Sequence, residues 1–255
     1  MKKYLPELCV VLLFFFFTTS HAQTRFSHEV GVNLGIASFQ PDFGLSTEFE
    51  SANQANMIYG FAYYLKFFGS QYNWRSGSSF FSEHFKLKFE FSYTNNTNIN
   101  HDGAKDAGSV YDKLELMKGQ IKLYNGGVNL EYYIFQLEDY SSFYRSSGTI
   151  NPFVTLGLHY SHSQPDIFVD GVSLKGKPEP YTELIPKWQT GAVFLEPENI
   201  FSATGGLGVR FGMDKVDFSI EGRYQYYFSD VVGGLDAPND PANKGNDSMV
   251  FFNAG

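Results

Sequence analysis

Residues Glu83–Thr94 read EHFKLKFEFSYT, and the direction in which this stretch turns its rings decides the fold. Side chains alternate across an extended strand, so Phe85, Leu87, Phe89, Phe91 and Tyr93 share one face while His84, Lys86, Lys88, Glu90 and Ser92 share the other. One face is apolar and the other carries charge. In a water-soluble sheet the rings would be buried and the charges solvated. In a barrel that crosses an outer membrane the arrangement is inverted: rings meet lipid and charges line a polar lumen, in segments of about ten residues repeated around the chain. The remaining strands and the N-terminus choose between the two.

The N-terminus has the three parts of an export signal. Lys2 and Lys3 give a positive start, Leu8 to Phe17 (LCVVLLFFFF) an apolar run, and Ser20-His21-Ala22 a small-residue cleavage site before Gln23. An apolar run of about ten residues is half of what a membrane-spanning helix needs. Residues 1–22 are therefore expected to be a cleaved signal and 23–255 the mature domain. Cys9 lies within the apolar run, away from the cleavage end, which argues against lipidation of a new N-terminus. Without that segment the chain has no cysteine, so neither disulfides nor thiolate metal sites can stabilise it. About 230 mature residues fit one all-β domain. Aromatic residues make up 18% of the chain and the net charge is −8, a balance that argues against nucleic acid as a partner. No second long apolar run follows, which excludes a helical membrane protein and leaves a barrel open.

The alternation recurs along the chain. Val30, Val32, Leu34 and Ile36 alternate with Glu29, Gly31, Asn33 and Gly35; Met57–Phe68 sets Tyr59, Phe61, Tyr63, Leu65 and Phe67 against Gly60, Ala62 and Lys66. Gln120–Phe135 begins with Ile121 and Leu123 and ends with Val128, Leu130, Tyr132 and Ile134, an apparent parity switch at Gly126-Gly127 that predicts a bulge. Asn151–His162 places Val154, Leu156, Leu158 and Tyr160 outward. Asn199–Met213 and Val216–Phe228 continue the theme, and Ser248–Gly255 opens a last strand. Between them, Val110–Met117 suggests a short helical turn, and Ser163–Glu198, with Pro165, Pro178, Pro180, Pro186 and Pro197, reads as a surface loop with one local hairpin that cannot be a central strand. The expected fold is all-β: an antiparallel up-and-down transmembrane β-barrel of about eight strands, with long and shorter connections alternating. The last strand, about eight residues, falls short of the nine to eleven a spanning strand needs, so it is expected to be truncated.

On this parity the lumen receives Glu29, Lys86, Lys88, Glu90, Glu131, Arg210, Glu221 and Arg223, with His84 and His159 nearby. Isolated charges in that space would be costly, so the two signs are expected to pair. Eight strands enclose a space that side chains fill, which disfavours a diffusion pore. Chemical signatures are weak. His159 and Ser161 share a strand face, as a base and nucleophile would, without an assignable acidic orienter. Gly205–Gly212 (GGLGVRFG) lacks the spacing and following helix of a nucleotide loop. Asp236, Asp240 and Asp247, with Asn239, Asn243 and Asn246, crowd one loop with oxygen atoms but do not match a calcium loop, and no cofactor is expected.

The segments HEVGVNLGIASFQPDFG (His28–Gly44), EHFKLKFEFSY (Glu83–Tyr93), PFVTLGLHYSHSQP (Pro152–Pro165) and RYQYYFSDVVGGLD (Arg223–Asp236) resemble a small outer-membrane barrel family of Bacteroidetes, particularly of flavobacteria. More distantly the chain is similar to porin-like barrels of that phylum, one of them associated with type IX secretion. The resemblance implies an outer-membrane location and carries no functional residue with it. Three functions follow as expectations. The first is a non-enzymatic envelope protein that contacts outer-membrane lipids and, through its loops, envelope or secretion proteins. The second is a deacylase-like lipid hydrolase using His159 and Ser161. The third is a soluble periplasmic barrel holding an apolar ligand against inward-facing rings.

Overall fold

The computed structural model describes residues 26–40, 55–67, 80–101, 111–137, 149–213, 216–236 and 245–255. The expected signal at 1–22 lies outside them. The strands are β1 (Phe26–Gln40), β2 (Ala55–Phe67), β3 (Phe85–Ile99), β4 (Met117–Tyr133), β5 (Thr149–Val169), the two-residue β6 (Val172–Ser173), β7 (Glu198–Gly212), β8 (Asp217–Tyr227) and β9 (Ser248–Ala254). Two short helices, α1 (Phe80–His84) and α2 (Tyr111–Glu115), precede β3 and β4. All pairings are antiparallel. The sheet runs β4-β3-β2-β1-β9-β8-β7-β5, and β4 pairs with β5 to close it. The chain is a closed eight-stranded barrel, with β6 folded back on the end of β5 as the expected local hairpin through Asp170 and Gly171, both at positive φ. No described helix is long and apolar enough to cross a membrane.

The registers stack the outward side chains in rows. Phe85, Tyr132, Val154 and Leu207 form one; Leu87, Leu130, Leu156 and Gly205 the next; then Phe89, Val128, Leu158 and Ala203; then Phe91, Gly126, Tyr160 and Phe201. Above these lies Tyr93, Tyr124, His162 and Asn199, and above that Asn95, Lys122 and Gln164. The lower rows are exposed apolar residues, with Leu156 at 65% and Leu207 at 67% exposure, while Lys86, Lys88, Glu90 and Arg223 are buried inside. The rings thus face outward, and the third expectation, with rings packed around an internal ligand, is not the arrangement adopted.

Three details of the strands differ from the sequence expectation. Glu83 and His84 belong to α1, so β3 begins at Phe85, and His84 is buried with Nδ1 2.8 Å from the Tyr133 carbonyl. No bulge occurs at Gly126-Gly127. Met117, Ile121, Leu123, Asn125, Asn129, Glu131 and Tyr133 all point inward on a register with β5 that is unbroken, and the irregularity in the β3–β4 pairing falls instead between Asn96 and Ile99. The apparent switch has another cause: above the Tyr124 row the interior becomes apolar and the exterior polar, so parity is constant while its chemistry inverts. Finally, β5 continues to Val169 through Pro165. Pro165 lies opposite Ile121, beyond the Ser163–Glu198 pair where β7 stops, so β5 is an edge there, the place in a sheet that tolerates proline. Two inward glycines keep the interior closed: a Cβ on Gly127 would lie 2.3 Å from the His159 ring, and one on Gly157 2.0 Å from Asn129 Oδ1. β9 pairs with β1 only at Leu34–Gln40 and with β8 at Ile220–Tyr226.

The apolar upper interior is capped by the segment after β6. Ile99, Met117, Ile121, Ile167, Leu174, Leu184, Trp188, Leu235 and Met249 are among one buried cluster there. Trp188 stacks on His101 with ring centroids 5.1 Å apart, and Lys187 Nζ sits 4.4 Å over the other ring system of the pair, that of Trp188. Burial, and then the nearby Lys187 charge, lower the His101 pKa from its ordinary 6.5 to about 3. The folded cap therefore holds His101 neutral, whereas the unfolded chain takes up a proton below about 6.5. Its contribution is complete above the unfolded value and drains away as pH falls toward 3. In a Trp74→Phe background, where Trp188 is the remaining tryptophan, acidification through that window is expected to shift Trp188 emission to the red. His101→Phe should abolish the shift, and an unchanged titration in that variant would assign it to another group.

Candidate functional site

The lumen site is assembled by parity. The inward positions of β3 supply Lys86, Lys88 and Glu90; β1 supplies Glu29, β4 Glu131, β7 Arg210, and β8 Asp217, Glu221 and Arg223. All eight charges expected in the lumen converge there. Lys88 is the hub: its Nζ lies 2.8 Å from Glu90 Oε2, 3.0 Å from Glu221 Oε2 and 3.8 Å from Glu131 Oε1. Arg223 makes a bidentate pair with Glu90, Nη1 donating to Oε2 at 3.1 Å and Nη2 to Oε1, and its Nε lies 3.7 Å from Glu221. Lower down, Arg210 joins Glu29 (3.2 Å), Glu131 (3.5 Å) and Asp217 (3.6 Å), and Lys86 donates to both oxygens of Glu29. Both ends of each pair are thereby compensated within a space from which water is largely excluded.

Tyrosines close the gaps between these ions. The Tyr133 hydroxyl donates to Glu131 Oε2 at 2.6 Å, and the Tyr64 ring packs against the guanidinium of Arg210, 4.7 Å from its centroid. Arg223 lies 4.4 Å above the Phe251 ring, at the boundary between the ionic interior and the apolar cap. Tyr64, Tyr133 and Phe251 were not singled out by the sequence reading. All three hold inward parity on their strands, and that parity is the signal that marks them.

Above the ions is a layer of neutral hydrogen bonds, and it contains the two catalytic candidates. His159 Nε2 is 3.0 Å from Asn129 Oδ1, which also accepts from Thr204 Oγ1 at 2.9 Å. Ser161 Oγ donates to Asn125 Oδ1 at 2.6 Å, and Gln225 donates to Ser202 at 2.8 Å. His159 and Ser161 share a face, as expected, but each bonds to its neighbour on β4 and no hydrogen bond joins them. Same-face residues two apart on a strand can meet, as Lys88 and Glu90 do, but His159 and Ser161 are each turned to an asparagine of β4 instead. His159 is 2% exposed and Ser161 fully buried, so no lipid reaches either in this conformation.

Of the oxygen-rich loop, Asp236 and Asp247 are described and Asp240 lies outside the described residues. Asp247 Oδ2 accepts the Gly233 N–H at 2.8 Å, holding the turn after β8. Among the described residues no group of three or more His, Cys, Asp or Glu is placed to hold a metal. A cavity of about 230 Å³ opens at the Glu29 end of the lumen, lined by Lys86, Arg210, Asp217 and residues 135–137 and 149–151.

No family model and no curated protein matches the chain. Solved structures of similar shape exist. Neisserial surface protein A, NspA, is 12% identical, with 90% of this chain and 96% of that one covered at a TM-score of 0.42. Ail, the attachment invasion locus protein of Yersinia pestis, is 13% identical, with 89% and 94% covered at 0.38. The outer-membrane enzyme PagL is 12% identical, with 89% and 98% covered at 0.33. Likeness at this level carries no argument about activity. The architecture of this chain rests on its own strand pairing.

Proposed function

We propose that this chain is a non-enzymatic outer-membrane barrel whose ion-filled lumen stiffens the wall and whose long connections serve interactions in the cell envelope. The observation that carries the reading is the exposed apolar belt around the strands: Val30, Val32, Phe61, Phe91, Leu156, Leu158, Leu207 and Phe252 all lie outward. A contiguous apolar surface of this extent is untenable in water and is what hydrocarbon requires. Tyr93, Tyr124 and Tyr160 at the upper edge of the belt suit a membrane interface, where a ring can be apolar at one end and wet at the other. The packed lumen speaks against a diffusion pore. The export signal read at residues 1–22 supports delivery to the envelope, and a secretion assembly is the partner class suggested by the resemblance of the sequence segments.

Because the mature chain has no cysteine, single labels can be placed at will. Leu158→Cys and Gln164→Cys are each labelled with a fluorophore after reconstitution. The Leu158 label should be quenched by brominated lipid and the Gln164 label by aqueous iodide, with the protein sedimenting with membranes. Equal iodide quenching at both sites, in a protein recovered from the soluble fraction, would overturn the membrane reading.

A further inference from the structure

The outward face of β4, read upward, runs Leu130, Val128, Gly126, Tyr124, Lys122. Two features coincide on it. The belt is interrupted at Gly126, where an added Cβ would meet nothing within 4 Å. The gap is walled by its partners Phe91 on β3 and Tyr160 on β5, both exposed. Tyr124 roofs it, held by Tyr93 at 4.8 Å between centroids and by His162 at 6.3 Å.

Directly above the roof is Lys122, exposed and flanked in its row by Asn95 and Gln164. Those neighbours are engaged elsewhere: Gln164 Nε2 lies 3.1 Å from His162 Nε2, and Asn95 Oδ1 accepts from Gln120. No described carboxylate pairs with Lys122. Two steps of two residues separate Lys122 from Gly126, about 13 Å along the strand. That span joins the headgroup level of a leaflet to its upper acyl chains.

We propose that this face is a seat for one lipid with an anionic phosphate headgroup, its phosphate on Lys122 and the upper part of one acyl chain in the Gly126 notch. A phosphate offers Lys122 the counter-charge that its row lacks, and an acyl chain fills an apolar gap that no described side chain occupies. The seat rests on the membrane reading above and belongs to the leaflet at the capped end of the barrel.

The test is native mass spectrometry of the detergent-released protein with phosphatidic acid and with diacylglycerol of the same chains. The wild type should retain one phosphatidic acid with about tenfold preference over diacylglycerol. Lys122→Gln should reduce that preference to about twofold or less. Gly126→Leu, which fills open space and leaves the fold intact, should remove retention of both lipids. Lys118→Gln, about 13 Å further from the belt, should behave as wild type. Equal retention of the two lipids by the wild type, or wild-type adducts in Lys122→Gln and Gly126→Leu, would overturn the seat. Reconstitution into vesicles, measured in the same preparations, keeps the membrane reading separate, since a protein that floats with vesicles and holds no adduct fails only this proposal.

Discussion

Lys88→Met is expected to destabilise the barrel by about 3–5 kcal/mol, the range for removing one partner from a buried ionic cluster. Methionine keeps the length and volume of the side chain, so lost packing contributes little. What remains is three carboxylates, Glu90, Glu221 and Glu131, grouped around a space that held their shared cation. Arg223 still pairs with Glu90 and Arg210 with Glu131, but Glu221 keeps only the 3.7 Å contact to Arg223 Nε. Urea unfolding of the refolded protein in detergent, followed by the gel mobility of folded and unfolded forms, reads the loss. Adding Glu221→Gln to Lys88→Met should recover part of it, because an amide needs no counter-charge. A double variant no more stable than the single one would show that the cost lies in packing and not in charge.

Leu156→Arg addresses the opposite face of the wall. Leu156 sits in the middle rows of the belt, beside Leu130 and Gly205. An arginine there is expected to cost about 2–4 kcal/mol in a bilayer, falling to about 0–1 for the same residue near an interface. Gln164→Arg, in the Lys122 row, should therefore be close to neutral. Unfolding free energies measured in lipid vesicles give the comparison. If the two variants were equally stable, the belt would not be in contact with hydrocarbon, and the envelope assignment would lose its main physical support.

The architecture was legible because inward and outward residues keep strict alternation in strand after strand, and Lys86, Lys88 and Glu90 with Phe85, Leu87 and Phe89 state it without ambiguity. Which inward charges meet was not legible. Lys88 reaches Glu221 and Arg223 reaches Glu90 across 133 positions, and those partnerships are set by how the strands are staggered when the sheet closes. The reading of Gly126-Gly127 as a bulge failed for a related reason. It assumed that the apolar side of a strand is always the same side, whereas Ile121 and Leu123 pack inward into a cap and Val128 and Leu130 face outward into the belt. His159 and Ser161 were correctly placed on one face. Spacing alone could not reveal that each would find an asparagine on β4 before it found the other.

The exchange of chemistry between inside and outside at Tyr124 sets a waterline on the barrel. In the membrane proposed for this barrel, sinking by one row would drag Lys122 and Gln164 into oil, and rising by one would lift Tyr160 and Phe201 into water, so vertical position is self-correcting from both directions. The described residues above that mark are arranged like a small soluble protein with a greasy heart, and those below it like one turned inside out.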